Sequence, residues 1–236
     1  MSFTINIEKV KDFYSNIEND ENHRYKSWEH CYNYFLQPEK DIEVDKACLH
    51  LSFYLASSSM YGGPSYLLQK DYFIHKDLIK NIILNPKYKM LQEWDFLKEN
   101  KINIKYLFEL RNEIKEYYEN KITHINGERK TVNVSAELST KIILGTFGCV
   151  PVYDKYFIQG IKLHDKQFGL KFHNKQFGMT FNKKGFLNII KVYQDNKSDI
   201  DKLSRELKVY SHQYPIMKII SIYFYQVGFE ELKLVK

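Results

Sequence analysis

Asp154 sits directly behind a proline turn, in Val150-Pro151-Val152-Tyr153-Asp154-Lys155-Tyr156-Phe157, and its neighbours make it the best candidate for chemistry in the sequence. A carboxylate at a helix entrance is held anionic by backbone N–H groups and the helix dipole. Such a group can stabilise positive charge developing on a substrate, or position or activate a water. Tyr153 and Tyr156 flank it, and Lys141 stands on the apolar stretch before it. The same position suits a plain N-cap, whose carboxylate serves only its own helix. The residues alone leave both readings open.

A second constellation is Leu55-Ala56-Ser57-Ser58-Ser59-Met60-Tyr61-Gly62-Gly63-Pro64-Ser65-Tyr66. Small residues let backbone or ligand approach closely. A helix beginning after Gly63-Pro64 exposes N–H groups suited to a phosphate. Tyr61 and Tyr66 are the expected aromatic walls of a pocket, and Gln69 the expected polar reader. A tightly packed interhelical turn is the structural alternative.

Charge is concentrated. Lys155, Lys162, Lys166, Lys171, Lys175, Lys183, Lys184 and Lys191 lie between positions 155 and 191, where Asp165 is the only acid. That window carries +7, against +6 for the whole chain. A localised cationic surface attracts polyanions because each neutralised phosphate releases counterions. Lys141 and the lysines from Lys155 to Lys184 are the expected contacts to such a polyanion, which the glycosylase resemblance described below implies to be DNA, with the duplex favoured. Phe168, Phe172, Phe177 and Phe181 are interleaved, to stack bases or to fill a core. The window also holds a tandem, KQFGLKFHN followed by KQFGMTFNK, identical at five of nine positions.

Several classes of function are disfavoured. There is no phosphate-binding loop, GxSxG elbow or HExxH motif. The eight histidines are scattered, and His23 and His30 stand two turns apart with no acid or cysteine completing a ligand set. No metal and no cofactor is expected. Cys31, Cys48 and Cys149 are widely separated, which fits a reducing compartment better than a disulfide framework. No long uncharged apolar run predicts a membrane span, and MSFTINIEKVKDF lacks an apolar signal core, so a cytoplasmic protein is expected.

The elements that must position these residues read as helices. Apolar residues recur at helical spacing in 5–17, in 28–35 before Pro38, and in 44–60. Further helices are predicted over 65–84, 90–97 and 104–118. Asn126-Gly127 marks a turn or small hairpin. A helix capped by Asn133 or Ser135 should end at Gly145 or Gly148, and a short one should follow Asp154. Segments 185–193, 197–210 and 215–227 complete the set. The expected architecture is all-α: one helical domain, with lobes 1–130 and 131–236 around a cleft as the alternative division.

The run from Leu138 to Phe157, LSTKIILGTFGCVPVYDKYF, resembles the helix-hairpin-helix DNA glycosylase superfamily, most closely its remote 8-oxoguanine-glycosylase-like members. There an apolar helix leads through a proline turn to an Asp that opens the next helix. The resemblance implies that Asp154 is the catalytic aspartate, stabilising an oxocarbenium-like sugar as the base leaves. Two departures matter. Lys130–Ser135 has no glycine where the family has its hairpin, and Lys141 stands too far along the helix for the attacking lysine of bifunctional members. A monofunctional enzyme using water is therefore implied, excising a modified or damaged base. Glycosylases of this broad kind also act in bacterial defence against phages with modified DNA. The alternatives are a non-catalytic nucleic-acid-binding module on the same scaffold and a protein-interaction factor.

Overall fold

The computed structural model describes residues 3–38, 41–63, 65–98, 101–168 and 181–234, the side chains of 165–168 excepted. The all-α expectation holds. In chain order the elements are α1 (Ile7–Glu18), α2 (Lys26–Phe35), α3 (Val44–Ser57), the single turn α4 (Lys76–Leu78), α5 (Lys101–Lys121), a hairpin of β1 (His124–Ile125) and β2 (Glu128–Arg129), α6 (Ala136–Phe147), α7 (Lys155–Phe168), α8 (Lys183–Asp195), α9 (Lys197–Glu206), a hairpin of β3 (Lys208–Val209) and β4 (His212–Gln213), and α10 (Ile216–Leu234). Both hairpins are antiparallel, with Ile125 opposite Glu128 and Val209 opposite His212.

The chain forms two units that do not follow one cut in the sequence. One comprises residues 1–21, 95–99 and 148–236, the other 22–94 and 100–147. The first helix thus belongs with the C-terminal ones, not with a lobe 1–130. Asn196 is the reason. Buried among apolar neighbours, it accepts the Ile5 N–H at 2.7 Å and donates to the Phe3 carbonyl at 2.7 Å, pinning the N-terminal segment in front of α9.

In this first unit α7 and α10 meet backbone to backbone. A methyl on Gly160 would lie 2.0 Å from the Phe224 carbonyl oxygen, and one on Gly228 would lie 1.9 Å from that of Tyr156. Only two facing glycines let helices come so close. Phe157 packs edge-on against Phe224, and buried His164 bonds the Tyr223 hydroxyl through Nε2 at 3.0 Å.

The second unit is centred on α6, buried from Leu138 to Phe147. An all-round buried helix must satisfy its neighbours' polar groups with its own backbone. Trp28 Nε1 donates to the Leu144 carbonyl at 3.3 Å, and Gln92 Nε2 donates to the carbonyls of Phe35 and Thr146. Gly145 leaves room for the Tyr54 ring, which a methyl there would meet at 2.8 Å.

Three sequence expectations are corrected. The stretch 65–84 is not one helix. Ser65 and Asp71 each accept the N–H two residues on, at Leu67 and Phe73, and each restarts the chain as a 3₁₀ turn (Tyr66–Gln69, Tyr72–His75) before α4 and a π turn over Ile79–Ile83. The stretch 90–97 is a 3₁₀ end and turns: Pro86–Leu91 is capped by Asn85, and Asp95 accepts the Leu97 N–H. Finally, α9 stops at Glu206. The next residues turn through Tyr210 at φ +55° into the second hairpin, held by the Tyr14 hydroxyl donating to Lys208 O and by Ser204 Oγ donating to Tyr214 O.

Candidate active site and cationic surface

Gly148, at φ +68°, ends α6 in the left-handed region and lets the chain leave the helix at once. The connector is then tied to α10, because the Val152 N–H donates to Ser221 Oγ at 3.1 Å. Asp154 follows on this fixed base. Its Oδ1 accepts the Phe157 N–H at 2.8 Å, and its carbonyl accepts the Ile158 N–H at 3.0 Å. It is the N-cap of α7 and only half-buried. A carboxylate so held stands at a defined place and is only partly covered. That is what electrostatic stabilisation of a developing cation demands.

The flanking tyrosines divide. Tyr153, expected at a base, is 2 % exposed, and its ring packs at 5.1 Å from both Phe157 and Phe181. It is a core residue, a correction explained by the proline turn pointing it inward. Tyr156 is half-buried against Tyr225 and Phe229, with the Lys155 ammonium 4.7 Å from its ring centre.

The lysines also divide. Lys141 is a second correction: it is 5 % exposed, and its ammonium donates to the Ser58 carbonyl at 2.7 Å and to Glu137 at 2.6 Å. It pairs with Glu137, ties down the carbonyl end of α3 and is not a surface cation. Lys155, Lys162, Lys183, Lys184 and Lys191 are exposed, and none forms an ion pair with an acid among the described residues. Elsewhere lysines are commonly paired: Lys9 with Glu230, Lys87 with Glu109 and Glu113, Lys121 with Asp77, Lys197 with Asp201. Spacing of seven puts Lys155 and Lys162 on one face of α7, and Lys184 and Lys191 on one face of α8. Asn182 caps α8 by accepting the Gly185 N–H at 2.9 Å. The side chain of Lys166, and Lys171, Lys175 and most of the KQFG tandem, lie outside the described residues.

The expected second constellation lies in the other unit. Gln69 is exposed, and its side-chain oxygen accepts the Asn126 N–H at 3.0 Å, bracing the first hairpin. Tyr61 leads to residues that sequence reasoning passed over. Its hydroxyl lies 2.9 Å from His75 Nε2, and His75 Nδ1 lies 2.5 Å from the Tyr118 hydroxyl. His75 and Tyr118 are both wholly buried. A signal was present: Tyr118 continues the Leu107, Leu110, Ile114 stripe of α5, and a tyrosine on an apolar stripe needs a partner for its hydroxyl.

Burial lowers the His75 pKa from 6.5 to about 3 and that of His164 to about 4. Both imidazoles are therefore neutral when folded, while the unfolded chain protonates them below pH 6.5. Stability rises with pH through this window and is lost on acidification. Each histidine should cost about 2 kcal/mol at pH 5 relative to pH 8. Urea midpoints at the two pH values check this, and His75→Gln or His164→Gln should each flatten the difference. Equal midpoints in the wild type would contradict it.

All three cysteines are buried and free, with burial raising the Cys48 thiol to about 11. Among the described residues no helix is long and apolar enough to cross a membrane. Comparison with known proteins finds no matching family model, curated protein or solved structure.

Proposed function

We propose that the protein binds DNA through the exposed lysines of α7 and α8 and excises a modified base by an Asp154-assisted, monofunctional hydrolysis. The single observation that carries this reading is the Asp154 carboxylate, fixed by the Phe157 N–H yet half-exposed, at the head of a helix bearing the exposed lysines Lys155 and Lys162. As the N-glycosidic bond breaks, positive charge spreads over C1′ and the ring oxygen of the sugar. An anchored anion stabilises that charge more in the transition state than in the ground state. Water adds to C1′, and the base departs with a proton. Lys183, Lys184 and Lys191, which pair with no acid among the described residues, give up no existing attraction there when they meet phosphate, so they are the inexpensive contacts. By analogy with glycosylases of this broad kind, we propose a role against phages carrying modified DNA.

A second reading has its own observation. With Tyr153 in the core and Asp154 employed as a cap, α7 and α8 could serve binding alone. One experiment separates the two. Wild-type protein incubated with DNA rich in modified bases should release free base and leave abasic sites. Binding without any such product would select the non-catalytic module. In either case Lys184→Ala and Lys191→Ala should each weaken binding across sequences and lower the slope of log affinity against log salt by about 1. Slopes unchanged in both variants would remove these lysines from the interface.

A further inference from the structure

In the second unit, the hydrogen bonds joining Tyr118, His75, Tyr61 and Ser52 can run in only one satisfying direction. Among the described residues the Tyr118 hydroxyl meets only His75 Nδ1, at 2.5 Å. If Nδ1 carried the proton, the buried Tyr118 hydrogen would have no acceptor, at a cost of roughly 1–3 kcal/mol. Tyr118 therefore donates to Nδ1. The neutral imidazole then carries its hydrogen on Nε2 and donates it to the Tyr61 oxygen at 2.9 Å. The Tyr61 hydrogen must in turn point away from His75. Its acceptor is Ser52 Oγ at 3.4 Å, the outer limit of a hydrogen bond. Both Tyr61 and Ser52 are half-buried. One turn before Ser52 on α3 stands Leu49, 47 % exposed, and the residue after Ser52 is Phe53, 60 % exposed.

We propose that these residues form a built recognition site, in which Tyr61 offers its hydroxyl hydrogen to a carbonyl oxygen or ring nitrogen of an unstacked nucleobase. The directed donor stands on the hydrogen bonds alone, whereas the nucleobase as ligand rests on the function proposed above. Ser52 is the weak standing acceptor that a base atom at ordinary distance replaces. The exposed side chains of Leu49 and Phe53 on α3 supply the apolar surface that base recognition pairs with such a donor. His75 and Tyr118 are positioning residues, acting on the base only through Tyr61. Burial supports this, because an imidazole kept neutral holds its direction across the physiological pH range.

Imidazole nitrogen NMR of histidine-labelled protein tests the donor. His75 should be the Nε2–H tautomer and should not titrate between pH 8 and pH 5. An Nδ1–H tautomer overturns the proposal. Binding of a single-stranded, mixed-sequence oligonucleotide tests the ligand. Tyr61→Phe should weaken it about tenfold, the worth of one net hydrogen bond. His75→Leu should lose as much. His75→Gln, which can still donate to Tyr61 and accept from Tyr118, should stay within about threefold of wild type. Leu and Gln fill similar volume, so this split reads hydrogen bonding and not packing. If His75→Leu does not fold, the tautomer and Tyr61→Phe decide. Unchanged affinity in Tyr61→Phe overturns the recognition site but leaves the cationic surface standing. A wild type that binds neither this oligonucleotide nor duplex DNA at low salt overturns both.

Discussion

Alanine at Gly160 or at Gly228 is expected to unfold the unit built on α7 and α10. Intrinsic preference points the other way, because Gly→Ala inside a helix ordinarily gains about 1 kcal/mol. Packing decides the outcome. The new methyl carbons would lie 2.0 Å from the Phe224 oxygen and 1.9 Å from the Tyr156 oxygen. Both obstacles are backbone carbonyls, so no side chain can swing aside. The helices must separate by more than 1 Å, pulling Phe157 from Phe224 along the same contact. Overpacking of flexible side chains costs about 1–3 kcal/mol, and a backbone clash at a helix crossing belongs at or above the top of that range. Thermal melting checks this, with Gly62→Ala as control: a methyl there meets only Ser59 O at 3.7 Å. Gly160→Ala melting like wild type would show that the crossing is not as close as described.

Asp154→Asn is expected to abolish base release, by about 10²–10³-fold or more, while leaving stability within about 1 kcal/mol. Asparagine is as good an N-cap as aspartate and can accept the Phe157 N–H through its side-chain oxygen. It removes the charge and keeps the cap. If Asp154 served only its helix, the substitution would be silent. Asp154→Ala separates the roles from the other side: it should lose the cap, about 1 kcal/mol, together with all activity. Quantifying abasic sites alongside urea unfolding gives both numbers for each variant.

The local pattern of the sequence made much of this legible. Helical spacing located α1, α3 and α5 because each buries one stripe, and α2 because its apolar residues recur at the same spacing. Asn126-Gly127 announced the first hairpin, and both residues adopt positive φ there. The second hairpin turns on Tyr210 without glycine, held by Tyr14 from α1, and nothing local signals that. The helix entrance at Asp154 was readable from proline and cap chemistry. The fates of Tyr153 and Lys141 were not, because burial depends on which neighbours the fold brings: Phe181 for one, the Ser58 carbonyl for the other. His75 was opaque for the same reason, since its partner Tyr118 lies 43 residues away.

The central claim is that the Asp154 carboxylate stabilises positive charge on a deoxyribose. Binding of a duplex carrying a pyrrolidine, a cationic mimic of the oxocarbenium sugar, in place of one nucleoside tests it most directly, against the same duplex with a neutral tetrahydrofuran at that site. Wild-type protein should hold the cationic duplex at least about 100-fold more tightly, and Asp154→Asn should erase the preference. Equal affinity of the wild type for the two duplexes would contradict the account.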